Sequence, residues 1–205
     1  MTVDAKVVRS LREKTGAGIM DCKEALVNAE GDMDKAVELL RKLGIAKAEK
    51  KVGRKADQGV VLSYVHPGNR IGVLVEVNCE TDFVAKTDGF TSLVKDLAMQ
   101  VAATGPMAIT REEIDETTVD REKDIYREQA KSMGKPDNVV DKVVEGRLEK
   151  FYQENCLLEQ QFIKDHEKTV QNLIKENIAA LGENIAVARF ARFEVGEGPS
   201  SNGEV

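Results

Sequence analysis

The sequence predicts an α+β protein: an N-terminal three-helix bundle, then a core with a three-stranded antiparallel sheet, packed helices and a protruding helical hairpin. Three observations carry this. Apolar residues recur at helical spacing through residues 1–45, punctuated by glycines. Apolar-rich runs at 60–65 and 71–77 flank His66-Pro67-Gly68-Asn69-Arg70, a hairpin signal. Two long, charge-rich helical patterns meet at Gly134-Lys135-Pro136-Asp137.

The first helix is expected over residues 4–14, with Val7, Val8 and Leu11 on one face. Thr15-Gly16-Ala17-Gly18 breaks it with a tight turn. Asp21 and Glu24 have capping-box spacing and are expected to open the second helix. Asp32 caps the third, where Ala36, Val37, Leu40 and Leu43 form the inward stripe and Gly44 is the expected stop. Residues 46–58 read as a basic helical connector, and the core is expected over residues 59–196. In the two strands, Val60, Leu62 and Tyr64 on one face oppose Val61 and Val65 on the other. A sheet with one wet face alternates more cleanly, so the second face is expected to be covered, by helices or by another subunit.

Residues 90–103 form an amphipathic helix stopped by Gly105-Pro106. The helical hairpin is expected over about residues 120–154, with Asp137 capping its second arm. Its apolar positions, Ile125, Tyr126, Val140, Val143, Val144 and Leu148, are too sparse for a domain core. A further amphipathic helix runs from 169 or 170 to 181 and ends at Gly182. Residues 184–195 form the last strand, with Ile185 and Val187 on one face and Ala186, Ala188 and Phe190 on the other. Residues 197–205 read as a disordered tail.

Composition narrows the function. At 41% hydrophobic and 32% charged, with no apolar run of membrane-spanning length and no leader pattern, a cytoplasmic protein with no membrane partner is expected. The net charge of −6 disfavours bulk nucleic-acid binding, so no specific nucleic acid is expected as a partner. Residues 41–55 nevertheless hold seven basic side chains and one acid, Glu49. That run is either a solvated linker helix or a patch for an acidic protein surface or RNA. Cys22, Cys79 and Cys156 are odd in number and lack C-x-x-C spacing, which points to reduced thiols and to no metal site. His66 and His166, the only histidines, lie in no nucleophile motif. Gly16-Ala17-Gly18 follows no strand and carries no Gly-Lys-Ser/Thr, so no direct nucleotide binding and no cofactor are expected. A binding protein, not an enzyme, is the expectation.

The most informative stretch is Glu76-Val77-Asn78-Cys79-Glu80-Thr81-Asp82-Phe83-Val84-Ala85-Lys86. A strand pattern runs into a polar turn carrying one aromatic. Thr81 or Asp82 could cap a helix that starts near Val84, with Phe83 stapling it to the core. Alternatively Phe83, beside the Asp82 carboxylate, is an exposed knob for a partner. Met20, after the glycine turn, is likewise either core or an adaptable contact.

Together with Leu11-Arg12-Glu13-Lys14-Thr15-Gly16-Ala17-Gly18-Ile19-Met20-Asp21-Cys22-Lys23-Glu24-Ala25-Leu26, this stretch closely resembles the two signature motifs of the translation elongation factor Ts family, in its short form. The resemblance continues through Gly134-Lys135-Pro136 and Val144-Glu145-Gly146-Arg147 to Arg192-Phe193-Glu194-Val195-Gly196. It implies a ubiquitin-associated-like bundle and a guanine-nucleotide exchange factor for elongation factor Tu, acting in protein biosynthesis. By the same resemblance Thr81, Asp82, Phe83 and Val84 form the exchange wedge, which disturbs the Mg²⁺ and phosphate side of the GTPase site. Arg12, Ile19, Met20, Cys22 and Lys23 match the contacts of the bundle, and His66 matches a further contact on a hairpin, its other reading being a solvated turn histidine. A homodimer is expected because one sheet here carries what longer members divide between two. The alternative is an adaptor for ubiquitin-like partners or RNA, without exchange activity.

Overall fold

The computed structural model describes residues 4–197, save the side chain of residue 45. In chain order the elements are α1 (Ala5–Thr15), α2 (Ile19–Asn28), α3 (Met33–Glu49), β1 (Gln58–Val65), β2 (Ile71–Cys79), the short α4 (Asp82–Ala85) and α5 (Asp88–Thr104). A 3₁₀ turn, Arg111–Glu113, precedes α6 (Glu116–Ser132) and α7 (Asp137–Asn155). Then come β3 (Gln161–Phe162), β4 (Asp165–Thr169), α8 (Val170–Leu181) and β5 (Ile185–Glu194). The fold is α+β, with a three-stranded antiparallel sheet in the order β1-β2-β5.

The chain divides into two compact units. The first gathers the described residues up to Val61, with Glu76–Lys95 and Asn172–Ala188. The second gathers Leu62–Val75, Asp96–Gln171 and the described residues from Arg189 onward.

In the first unit the Asp4 carboxylate caps α1, accepting from the Lys6 N–H at 2.9 Å. Gly16, in the left-handed region at φ 68°, ends it. Asp32 caps α3 through the Asp34 and Lys35 N–H groups. Val8, Leu11, Cys22, Ala25, Leu26, Ala29, Ala36 and Leu40 close the bundle core. Truncating Leu11 to Ala would cost about 2–5 kcal/mol.

Two readings of this region need correction. Gly44 does not stop α3, which runs on into the expected connector. A Cβ at Gly44 would lie 3.3 Å from the Ala179 Cβ on α8, so the glycine permits close helix packing. Ion pairs Arg41–Glu176 and Lys175–Glu49 flank that contact. Asp21 does not open α2 either: the N-cap is Gly18, and the Asp21 carboxylate takes Lys47 at 2.7 Å instead. On β1, Gly59 has φ 148°, and a Cβ there would lie 2.2 Å from the Val77 carbonyl oxygen, so only glycine fits.

In the second unit the β1–β2 turn is closed by the His66 N–H donating to the Ile71 carbonyl at 2.9 Å. Along β2, Val73 and Val75 are buried and Leu74 is exposed. The hairpin α6–α7 has its own small core of Ala130, Val140 and Val144, flanked by Tyr126 and Val143. At its base Val119 and Phe151 pack with Ala108, Ile114 and Cys156. Asp137 is the first residue of α7 and not its cap; Pro136 holds that place with no side-chain bond. Arg111 grips Glu149 through two bonds of 2.7 Å, pairs with Glu159 and lies 4.5 Å over the Tyr152 ring. Those carboxylates hold its guanidinium charged far above the usual range.

Along β5 the alternation slips where Ala188 and Arg189 are both exposed. Phe190 is therefore half-buried instead of sharing the exposure of Ala186 and Ala188. The expected disordered tail lies outside the described residues but for Glu197, whose N–H donates to the Glu194 carbonyl at 3.1 Å.

Candidate functional site

The feature that stands out in the first unit is the turn after β2. Val77 and Cys79 are fully buried, so the strand delivers the chain from the core. Thr81 is extended (φ −130°, ψ 155°) and is the N-cap of α4, its hydroxyl accepting from the Val84 N–H at 3.4 Å. The helix lasts one turn. Ala85 is buried and Val84 half-buried, which leaves Asp82, Phe83 and Lys86 facing out.

Phe83 is 80% exposed, the most exposed large apolar side chain among the described residues. It is not a staple. Burying a Phe is worth about 1.5–3 kcal/mol, and this turn forgoes it.

The backbone beneath Phe83 is anchored by chain about a hundred positions away. The Glu183 carboxylate accepts from the Thr81 N–H at 2.9 Å and the Thr81 hydroxyl at 2.6 Å. The Glu80 carboxylate accepts from the Asn184 N–H at 2.6 Å. The Asn184 amide donates to the Arg54 carbonyl at 2.7 Å, and Arg54 lies 3.7 Å from Glu80. Downstream, the Thr87 hydroxyl donates to the Val84 carbonyl and accepts from the Phe90 N–H, tying α4 to α5. Lys86 donates to Asp82 at 2.6 Å and, through that bond and its charge, holds the Asp82 carboxyl below its usual range.

The bundle in the same unit presents a second apolar surface. Ile19 and Met20 are the first residues of α2, 49% and 70% exposed, so Met20 is not core. Arg12 and Lys23 are exposed as well. Cys22, grouped with them from the sequence, is fully buried, and its thiol donates to the Ala17 carbonyl. Its side chain belongs to the bundle core and not to the exposed surface.

His66 belongs to the second unit, exposed on the hairpin turn, with Nδ1 3.1 Å from the Tyr64 hydroxyl and the two rings edge to face. Phe83 and the exposed residues of the bundle therefore share one unit, and His66 falls in the other.

Covalent chemistry finds little support among the described residues. All three cysteines are buried, free thiols. Burial pushes the Cys156 thiol up to about 11 and raises Cys79 too, with Glu183 adding to the latter. A nucleophilic thiol needs the opposite shift. No described group of three His, Cys, Asp or Glu side chains could hold a metal ion. No described helix is long and apolar enough to cross a membrane. A cleft of about 1100 Å³ in the second unit is lined by Thr104, Arg111, Lys150, Glu159 and Gln160 among others.

The sequence reading missed Glu80, Glu183 and Asn184. Nothing local marks them: two acids and an amide beside turns are ordinary surface composition, and only the fold brings 80–81 to 183–184.

A family model described as Elongation factor TS matches residues 8–197. The elongation factor Ts of Moorella thermoacetica is 61% identical over 196 residues, covering 96% of this chain and 97% of that protein. That of Thermoanaerobacter sp. (strain X514) is 58% identical over 196 residues, with 96% of each covered. That of Geotalea daltonii is 57% identical over 198 residues, covering 97% and 92%.

Proposed function

The chain belongs to the elongation factor Ts family, and with it to the translation elongation factors; we propose that it is the guanine-nucleotide exchange factor for elongation factor Tu. The observation that carries this reading is an exposed phenylalanine on an anchored backbone turn. A GTPase holds GDP through its phosphate contacts and Mg²⁺. A protein that binds the nucleotide-free form more tightly than the GDP form weakens GDP by the same factor. Phe83 is the wedge inserted into the GTPase, with Asp82 beside it and Thr81 and Val84 shaping the turn. Arg12, Ile19, Met20 and Lys23 supply grip, and His66 a peripheral contact. No bond is made or broken in the protein, so it is not an enzyme in the chemical sense. It works in the cytoplasm, where translation proceeds.

The test is release of labelled GDP from elongation factor Tu. Release should accelerate severalfold or more when this protein is added, and an unchanged rate would remove the reading. The RNA-binding form of the adaptor alternative is weakened because six of the seven basic side chains of the run have a partner within the fold. Arg41, Lys42, Lys47, Arg54 and Lys55 pair with Glu176, Glu38, Asp21, Glu80 and Asp57, and Lys51 donates to the Gly182 carbonyl.

The working unit is a homodimer joined through the sheet. Val65, Leu74 and Phe193, in the second unit, are exposed at outward strand positions. Apolar strand faces of this kind are normally covered. A second copy would cover the same face on both chains by two-fold symmetry. Sedimentation at micromolar concentration should give the dimer mass, and a monomer with full activity would exclude it.

A further inference from the structure

We propose that Glu183 is a positioning residue for the wedge: its carboxylate sets the orientation in which Thr81 presents Asp82 and Phe83. The proposal rests on the reading of Phe83 as the inserted group.

The Thr81 hydroxyl has one proton to donate and lone pairs to accept with. It donates to Glu183 at 2.6 Å, which leaves a lone pair for the Val84 N–H at 3.4 Å. The same carboxylate accepts the Thr81 N–H at 2.9 Å. Both donors of one residue are thus held by one anion, and such charge-assisted bonds are stronger than neutral ones. A helix of one turn has little intrinsic stability, so its orientation is set by what holds its N-cap residue. Glu183 stands just after α8, where Lys51 donates to the Gly182 carbonyl and the Asn184 amide reaches the Arg54 carbonyl. The segment 182–184 therefore links the end of α3 to the turn that carries Phe83. The bundle that grips and the turn that inserts are joined through this anchor, within one unit.

Removing the anchor should affect insertion more than grip. In stopped-flow release of labelled GDP from elongation factor Tu, we expect Glu183→Ala to lower the maximal stimulated rate about tenfold, since small misplacements at a reacting site cost that much or more. The concentration for half-maximal stimulation, set mainly by the bundle, should move less than about threefold. Glu183→Gln keeps one acceptor oxygen and should recover much of the loss. The double variant Phe83→Ala/Glu183→Ala should be no slower than Phe83→Ala, because an anchor with nothing to position has no further effect.

A wild-type rate in Glu183→Ala would overturn the proposal, and so would losses that multiply in the double variant. So would a half-maximal concentration that rises in step with the rate loss. If Glu183→Ala fails to fold, Glu183→Gln and Thr81→Val carry the same comparison, and a wild-type rate in both would overturn it. The function itself is read separately. If the unmodified protein does not accelerate release, or Phe83→Ala does not slow it, the wedge reading fails and takes this proposal with it. If both behave as expected and only the Glu183 result differs, positioning alone is wrong.

Discussion

Two turns of this molecule display a ring to solvent, and they are held in different ways. Phe83 sits on a turn whose first residue is bound by Glu183, 102 positions away. His66 sits on a turn closed by bonds inside its own hairpin: its N–H to the Ile71 carbonyl, its carbonyl from the Asn69 N–H, its ring against Tyr64. The first turn is fixed relative to other elements of its unit; the second is fixed chiefly relative to its own strands. Exposure of an imidazole costs little, whereas exposure of a phenyl ring forgoes real stabilisation. A costly ring on a remotely anchored turn is the stronger mark of a contact. A cheap ring on a locally closed turn is the weaker one.

The largest expected effect follows directly. Phe83→Ala should lower stimulated GDP release by about thirtyfold or more, the scale of a contact worth 2 kcal/mol. Thermal stability should change by less than about 0.5 kcal/mol, as for an exposed surface site. A core Phe truncated to Ala would instead cost about 3–5 kcal/mol. A large fall in melting temperature with the release rate retained would break the comparison at its stronger end.

Next in size is the bundle. Met20→Asp places a charge on an exposed apolar position proposed as a contact and should weaken association with elongation factor Tu about tenfold, measured by titration. Unlike the Glu183 variants, it should raise the half-maximal concentration and spare the maximal rate. Loss of helix content in circular dichroism would show that Met20 packs more than its exposure indicates.

His66→Ala should be milder, a loss of about twofold to fivefold in release, as expected of the peripheral contact proposed for it. A loss equal to that of Phe83→Ala would show that local closure presents a ring as effectively as remote anchoring.

How far these turns were legible in the sequence differs in the same way. Local bonds leave local signals: Pro67-Gly68-Asn69 between two apolar runs marks the hairpin, and Asp32 and Thr81 are caps as their positions suggest, whereas Asp4, expected as the first helical residue, is the cap before it. Remote bonds leave none. Glu183 could not be assigned to Thr81, nor Lys47 to Asp21, from spacing alone. Gly44 looked like a helix stop because the same residue serves both stops and close contacts, and only Ala179 on α8 decides which. Phe83 was ambiguous because a Thr81 cap fits either a staple or an outward ring. β3, which pairs antiparallel with β4, has only the two residues Gln161–Phe162 and is too short to show a strand period.

The smallest expected effect concerns the Lys86–Asp82 ion pair beside Phe83. Lys86 lowers the Asp82 carboxyl by its hydrogen bond first and its charge second. Because the folded value is depressed, the pair contributes above the ordinary carboxylate range and its contribution is lost as pH falls through the folded value, below 3.8. At neutral pH the pair is intact, but both side chains are largely exposed, and exposed pairs contribute little to stability. Lys86→Met should therefore leave the melting temperature nearly unchanged and the stimulated release within about twofold. Its signature is spectroscopic: the Asp82 carboxyl, followed by NMR, should titrate at higher pH in the variant than in the parent. If the release rate instead falls as far as in Phe83→Ala, the orientation of Asp82 by Lys86 is part of the wedge, and the remote anchor is not sufficient to present it.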